Sequence, residues 1–311
     1  MNSNLTPRDL ADLAAQLALL AEGEVATDKP LAPCTSYRIG GSTAVWAAPR
    51  SARGVQRVLQ AVHAAGAPLF ILGRGTNLLV SDHGWAGVTL HIGDNLSAVT
   101  FSGEHAEAEA GCLLMDLIQS ALQRGLGGME LLAGIPGGVG GALRMNAGAF
   151  GREIEALAVE VEGFRSDGTP ICAAREAISF GYRRAPELEQ VIITSGRFRF
   201  QPDSPQTLKT RADEIMALRS RKQPLDHPSC GSVFKRPPGY YAGALIEEAG
   251  LKGERCGCAE ISRKHAGFIL NVGGATAADV YRLMRRIEER VMERFGVRLE
   301  REVQLVGDFS D

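Results

Sequence analysis

The most chemically distinctive stretch of this 311-residue chain runs from Gly134 to Gly151, GIPGGVGGALRMNAGAFG. Glycine occupies positions 134, 137, 138, 140, 141, 148 and 151, and the bulk is confined to Ile135, Val139, Leu143, Met145 and Phe150. Neither a helix interior nor a strand interior favours that composition. Without a Cβ and with easy access to positive φ, such a run lets backbone N–H groups close on a ligand, and phosphate is the usual one. A solvated glycine-serine spacer would lack the stiffening residues Ile135, Pro136, Met145 and Asn146, so an ordered anion cradle is expected. A second glycine loop, Gly73-Arg74-Gly75-Thr76-Asn77, follows the apolar run Leu69 to Leu72. It lacks the third glycine, the following helix and the acidic residue of a dinucleotide fingerprint, so it reads as another phosphate-facing turn.

Composition narrows the partners. The formal charge is −2, which leaves no global basic field for nucleic acid or an anionic membrane surface. No apolar run approaches the ~20 residues that span a bilayer. Leu13 to Ala21 follows Asp9 and Asp12, not basic residues, and reads as an amphipathic helix instead of a signal segment. The six cysteines (Cys34, Cys112, Cys172, Cys230, Cys256, Cys258) are scattered, and only the last two lie close, as C-x-C. That usage fits a reduced cytoplasm and offers no zinc spacing, so no metal is expected. With 45% hydrophobic and 23% charged residues, the chain is ordinary for a well-cored globule.

The elements that must position these loops alternate. A helix is expected from the Thr6-Pro7 cap to Gly23, followed by a polar stretch to Pro30, together a peripheral lead-in. Ala44 to Ala48 reads as a strand, and Ser51 caps a helix with Val55, Val58, Leu59 and Val62 on one face. Leu69 to Leu72 and Val88 to Ile92 read as strands, Ala98 to Phe101 and Ala106 to Ala110 as a strand pair, and Leu114 to Leu122 as a helix closed by Gly125. Leu157 to Phe164 turns at Asp167-Gly168 towards Ile171, and Val191 to Phe200 is a further strand. After a break at Pro202 to Pro205, a basic helix covers Leu208 to Arg221. The last strong elements are a helix from Ala277 to Phe295, capped by Thr276 and Asp279 and ended by Gly296, and a strand at Val303 to Val306.

Six separated strings now act together: GRGTNLLVSD (73–82), the glycine run, FGYRR (180–184), GSVFKRPPG (231–239), KHAGFILN (264–271) and REVQLVG (301–307). Their ordered set resembles the UDP-N-acetylenolpyruvoylglucosamine reductase family from about residue 33 to the end. The resemblance implies an α+β chain: an FAD-binding fold of the vanillyl-alcohol-oxidase (PCMH) type in two lobes, plus a C-terminal α+β substrate-binding domain. The expected layout is a lead-in at 1–32, an FAD-binding domain at 33–203 with lobes near 33–97 and 98–203, and a substrate-binding domain at 204–311. Arg236 stands where some members have asparagine, and no tyrosine-bearing insertion precedes 204, as in the shorter subtype.

By resemblance, the FAD contacts are Gly73, Arg74, Gly75, Thr76, Asn77, Leu78 and Ser81 in the first loop. In the glycine run they are Pro136, Gly137, Gly138, Gly140, Gly141 and Asn146. Oxidases of this fold that attach FAD covalently use histidine or cysteine in the first loop, and none stands there, so the FAD is expected to dissociate. NADPH is the implied co-substrate, and it shares one cleft with a UDP-sugar carrying an enolpyruvyl ether. The implied activity is an FAD-containing, NADPH-dependent oxidoreductase forming UDP-N-acetylmuramate for peptidoglycan in a bacterial cytoplasm. The implied catalytic residues are Arg183, as enolate stabiliser, Ser232, as proton donor, and Glu302, which orients or relays protons. Arg183 is apt because a guanidinium fork matches a carboxylate. Lys222 matches a family substrate lysine, Arg219 precedes it by about one helical turn, and Tyr182 and Lys264 complete the substrate candidates. Two other readings compete: a flavin oxidase of the same fold acting on an alcohol or sugar, and a flavin- or nucleotide-binding scaffold without chemistry. No protein partner is indicated.

Overall fold

The computed structural model describes residues 5–309, so the first four residues of the expected lead-in and the last two of the expected C-terminal domain lie outside the described residues. The chain divides into two units that interleave along the sequence. The first takes residues 5–28, Ala44–Arg74 and Gly87–Leu218; the second takes Lys29–Thr43, Gly75–Ala86 and 219–309. Each holds its own apolar core.

In the first unit, helix α1 (Pro7–Leu20) starts at a capping box formed by Thr6 and Asp9. It packs on α2 (Ala52–Ala64), which Ser51 caps. Leu13, Ala14 and Leu17 are buried in the core, so the lead-in is part of that core and not peripheral. The polar stretch after it is also structured: Glu24–Pro30 forms an edge strand. Its sequence EVATDKP has no alternation because few of its side chains are covered, and an edge tolerates the terminal proline. The sheet order is Glu24–Pro30, Ser42–Ala48, Trp85–His91, Leu69–Leu72, the last two strands running parallel.

A five-stranded antiparallel sheet follows, in the order Pro170–Ala174, Ala158–Phe164, Ile192–Arg199, His105–Glu109, Val99–Ser102. Both hairpins stand at the sequence-expected turns, with Gly103 and Gly168 at φ +58° and +85°. Helix α3 (Leu114–Gln123) buries the expected stripe of Leu114, Leu117, Ile118, Ala121 and Leu122. The glycine run contains a helix that its composition disfavours, α4 (Val139–Arg144). Packing explains this, because a Cβ on Gly140 would stand 2.8 Å from the Ala110 Cβ. Glycine here is a close-approach residue, and its helix-weakening entropy is offset by tertiary contact. Helix α5 (Pro205–Lys222) places Leu208, Ala212 and Ile215 in the first core, so the contact division falls between Leu218 and Arg219 and not at the break near 204.

In the second unit, a short helix α6 (Ala242–Glu248) and a three-stranded antiparallel sheet of Arg255–Cys256, Ala259–Ile261 and Ile269–Asn271 pack with α7 (Ala277–Phe295). Helix α7 has the bounds read from the sequence: the Thr276–Asp279 capping box opens it, and Gly296 at φ +67° closes it. It carries one further cap that was not foreseen. The Asp82 carboxylate accepts N–H bonds from Ala277 (2.8 Å) and Ala278 (3.0 Å). Leu78–Val80 pairs in parallel with Gln304–Val306, so the first glycine loop enters a strand instead of hanging free.

A carboxylate on two N-terminal N–H groups satisfies orphan donors and complements the helix dipole. Asp82→Ala should therefore lower stability by about 1–2 kcal/mol, read as a drop in the urea midpoint at unchanged slope.

Candidate active site

In the first unit the glycine run lies along residues 110–114. Leu114 N–H donates to Gly137 O, Val139 N–H to Cys112 O and Gly140 N–H to Ala110 O, each at 2.9 Å. The N–H groups of Gly137, Gly138 and Gly141 donate to no acceptor among the described residues, and Gly138 is buried. A buried donor left unmatched costs about 1–3 kcal/mol, and a row of them without Cβ atoms suits the oxygens of a pyrophosphate. The cradle therefore fits the FAD that the sequence implied. Arg74 braces it: Nε and Nη2 donate to Gly111 O (3.0 and 2.5 Å) and Nη1 pairs with Asp94 (2.5 Å).

Asn146, expected as a cofactor contact, has its side chain held by three protein partners. It is 0% exposed with φ +41°, and its side chain is fully engaged by the protein. Nδ2 donates to Glu153 Oε2 (2.9 Å) and Gly181 O (3.1 Å), while Oδ1 accepts Glu155 N–H (3.3 Å). It ties the glycine run to the tight turn 181–184, where Gly181 and Arg184 exchange backbone bonds of 3.0 and 3.2 Å. Arg183 sits in that turn at φ +55°, a conformation that costs a non-glycine residue of order 1–3 kcal/mol and clusters at functional sites. Its Nη2 donates to Gly148 O (2.9 Å) and its guanidinium stands 5.0 Å from the centroid of the half-exposed Tyr182 ring. The cation is thus held by the run itself.

The second unit brings Ser232 and Glu302 together. Ser232 bridges antiparallel to Phe268, and Val233 N–H donates to Gly267 O (2.9 Å). On the other side Val233 O accepts Glu302 N–H (2.8 Å). Buried Val233 and Phe234 anchor this segment, leaving Ser232 exposed and Glu302 half-buried. Arg301 adds a bidentate ion pair to Glu288 (2.5 and 2.6 Å) and stacks 4.9 Å from the Tyr281 centroid.

The loop after Gly75 is built into the same unit. Gly75 has φ +61°, and its Cβ would stand 2.1 Å from Cys34 O. Asn77 Nδ2 donates to Glu302 O (2.9 Å) and Asn77 O accepts Gln304 N–H (3.0 Å). Leu78 O accepts the Cys230 thiol at 3.1 Å, and burial pushes that thiol up to about 12, so it stays a neutral donor. Ser81 was expected at the cofactor, but its hydroxyl is 2% exposed, donates to Asp308 O (2.6 Å) and accepts His83 N–H (3.2 Å). Lys264 Nζ donates to Ser220 O (2.6 Å), which gathers the cations Arg219, Lys222 and Lys264 at the end of α5.

Sequence reasoning missed two residues here. Asn271 is buried; its Nδ2 donates to Tyr37 O (2.9 Å) and its Oδ1 accepts Gly273 and Ala275 N–H. His265 Nδ1 accepts Gly267 N–H (3.1 Å), and a Cβ on Gly267 would stand 2.9 Å from the His265 ring and 3.6 Å from Ser232 Oγ. Both lie in KHAGFILN, and only that motif could have flagged them.

Comparison with known proteins follows this division. Residues 43–172 match an FAD binding domain, and residues 223–306 match the C-terminal domain of UDP-N-acetylenolpyruvoylglucosamine reductase. These matches define an FAD-containing oxidoreductase with mixed helix and strand content. UDP-N-acetylenolpyruvoylglucosamine reductase 2 of Bacillus cereus is 40% identical over 291 residues, covering 93% of this chain and 95% of that protein. The reductase of Pediococcus pentosaceus is 40% identical over 288 residues, covering 92% and 96%. The crystal structure of the Thermus caldophilus reductase aligns with TM-score 0.78 at 34% identity, covering 91% of this chain and 98% of that one. The chain belongs to the UDP-N-acetylenolpyruvoylglucosamine reductase family.

Two outcomes follow from this geometry. A Cβ at Gly138 would stand 2.8 Å from Ala110 O beside the unmatched N–H groups. Gly138→Ala should therefore lower bound flavin per chain, measured by absorbance, by at least about tenfold in apparent affinity, the equivalent of one good charged hydrogen bond. His265 lies below its ordinary value chiefly through burial, with Lys252 adding to the effect and Glu247 opposing it. Below about pH 6.5 the unfolded histidine takes up a proton that the folded one resists. The unfolded state then binds more protons, so stability falls as pH drops through that range. The urea midpoint should fall more steeply from pH 7.5 to 5.5 in the parent than in His265→Gln.

Proposed function

We propose that this chain reduces UDP-N-acetyl-3-O-(1-carboxyvinyl)-glucosamine to UDP-N-acetylmuramate with NADPH as electron donor. The reaction belongs to peptidoglycan precursor synthesis in a bacterial cytoplasm. The observation that carries the reading is the pairing of Ser232 and Glu302 on either side of Val233, inside the region matched to the reductase C-terminal domain. In this reading the region matched to the FAD binding domain holds the flavin, and the chain from Arg219 onward holds the sugar nucleotide.

Dissociable FAD would supply the hydride, accepted from NADPH and delivered to the terminal carbon of the enolpyruvyl ether. Negative charge then grows at the adjacent carbon and its carboxylate, and the chain's own groups answer it. Arg183 presents a planar guanidinium fixed by Gly148 O and the Tyr182 ring, so it need not reorganise as charge appears. The Ser232 hydroxyl donates its proton to the carbanion carbon. A serine is a weak acid, so this transfer needs a strongly basic acceptor within hydrogen-bond reach. Glu302, next to it, orients that hydroxyl and returns a proton to it. Arg219, Lys222 and Lys264 supply charge for the UDP pyrophosphate, and Tyr182 offers its exposed ring to the sugar nucleotide.

The test follows NADPH absorbance with purified flavin-loaded protein, with and without the enolpyruvyl sugar nucleotide. Oxidation should require the nucleotide. In Ser232→Ala it should fall by at least about a hundredfold while flavin reduction by NADPH persists. Oxidation that ignores the nucleotide and tracks oxygen would overturn the reductase in favour of a flavin oxidase.

A further inference from the structure

The first glycine loop has a second attachment that cofactor binding does not explain. Asn77 reaches 225 positions along the chain to donate from Nδ2 to Glu302 O at 2.9 Å, and its own carbonyl accepts Gln304 N–H at 3.0 Å. One residue therefore grips the terminal strand at two points on either side of Val303. The Glu302 peptide is then held at both polar groups: its N–H by Val233 O (2.8 Å) and its carbonyl by Asn77. Neither bond involves the Glu302 carboxylate, but together they fix the two peptide planes that set its direction. The parallel pairing of Leu78–Val80 with Gln304–Val306 continues this attachment.

We propose that Asn77 is a positioning residue for Glu302, coupling the first glycine loop to the proton-handling pair Ser232 and Glu302. This rests on the reductase reading above. The chemistry selects an amide. The contact needs a donor towards a carbonyl oxygen, and a carboxylate of the same shape would set oxygen against oxygen. A serine keeps a donor but falls short of the reach.

Asn77→Asp and Asn77→Ser test it, each as the full chain. Measured on chains loaded with flavin to the same extent and reduced beforehand, reoxidation by the enolpyruvyl sugar nucleotide should slow by about ten- to hundredfold. The loss should be non-additive: Asn77→Ser/Glu302→Gln should reoxidise no more slowly than Glu302→Gln alone. Independently of activity, hydrogen exchange in the peptide covering 301–306 should quicken in flavin-free Asn77→Ser relative to flavin-free parent. If the aspartate variant does not fold, the serine variant carries the test. Unchanged reoxidation in the flavin-loaded serine variant, additive losses or unchanged exchange would overturn the proposal. Normal reoxidation in Glu302→Gln itself would instead sink the reductase reading of that carboxylate, a separate outcome.

Discussion

Backbone proximity that leaves no room for a Cβ is the constraint on which the candidate residues of each unit depend. At Gly75 the missing atom would overlap Cys34 O at 2.1 Å, and at Gly111 it would meet Gly93 O at 1.9 Å. These are main chain against main chain, so no rotamer change relieves them. Once the chains approach this closely, their polar groups compete for the same few partners. Among the described residues the N–H groups of Gly137, Gly138 and Gly141 are left over, while the carbonyls around them are taken. The anion cradle is a by-product of close packing as much as of glycine flexibility.

Close packing of backbone also demands side chains that can serve as backbone surrogates, and asparagine fills that place repeatedly. Asn146, Asn77 and Asn271 donate to Gly181 O, Glu302 O and Tyr37 O across 35, 225 and 234 positions. An amide offers donor and acceptor together, like a peptide group, and so can tie segments that do not form a ladder. The candidate residues Ser232 and Glu302 of the second unit are tied in the same way. Val233 connects Ser232 to Glu302, and Asn77 holds the far side of the Glu302 peptide.

Long periodic elements were legible from the sequence. The stripe Val280, Leu283, Met284, Ile287, Val291 between Thr276 and Gly296 contains its own start, face and stop, and α7 follows it. The strand Glu24–Pro30 was not legible, because an exposed edge imposes no alternation, and neither were Ala259–Ile261 and Ile269–Asn271, because three residues are too few to show a period. At the site, motif strings picked out Ser232, Glu302 and Arg183. They could not separate contact from support: Asn146 and Ser81 lie in glycine loops yet have their side-chain groups engaged within the protein. That distinction depends on partners far away in sequence, which no local pattern encodes.

The parallel pairing of Leu78–Val80 with Gln304–Val306 joins two segments that lie far apart in sequence. A ribosome releases the early strand long before its partner exists, so this strand must wait, apolar and unpaired, through most of synthesis. Loop closure over such a span is slow compared with forming α7 or a hairpin. The Leu78–Val80 strand of the second unit therefore gains its partner only once residues 304–306 have been made.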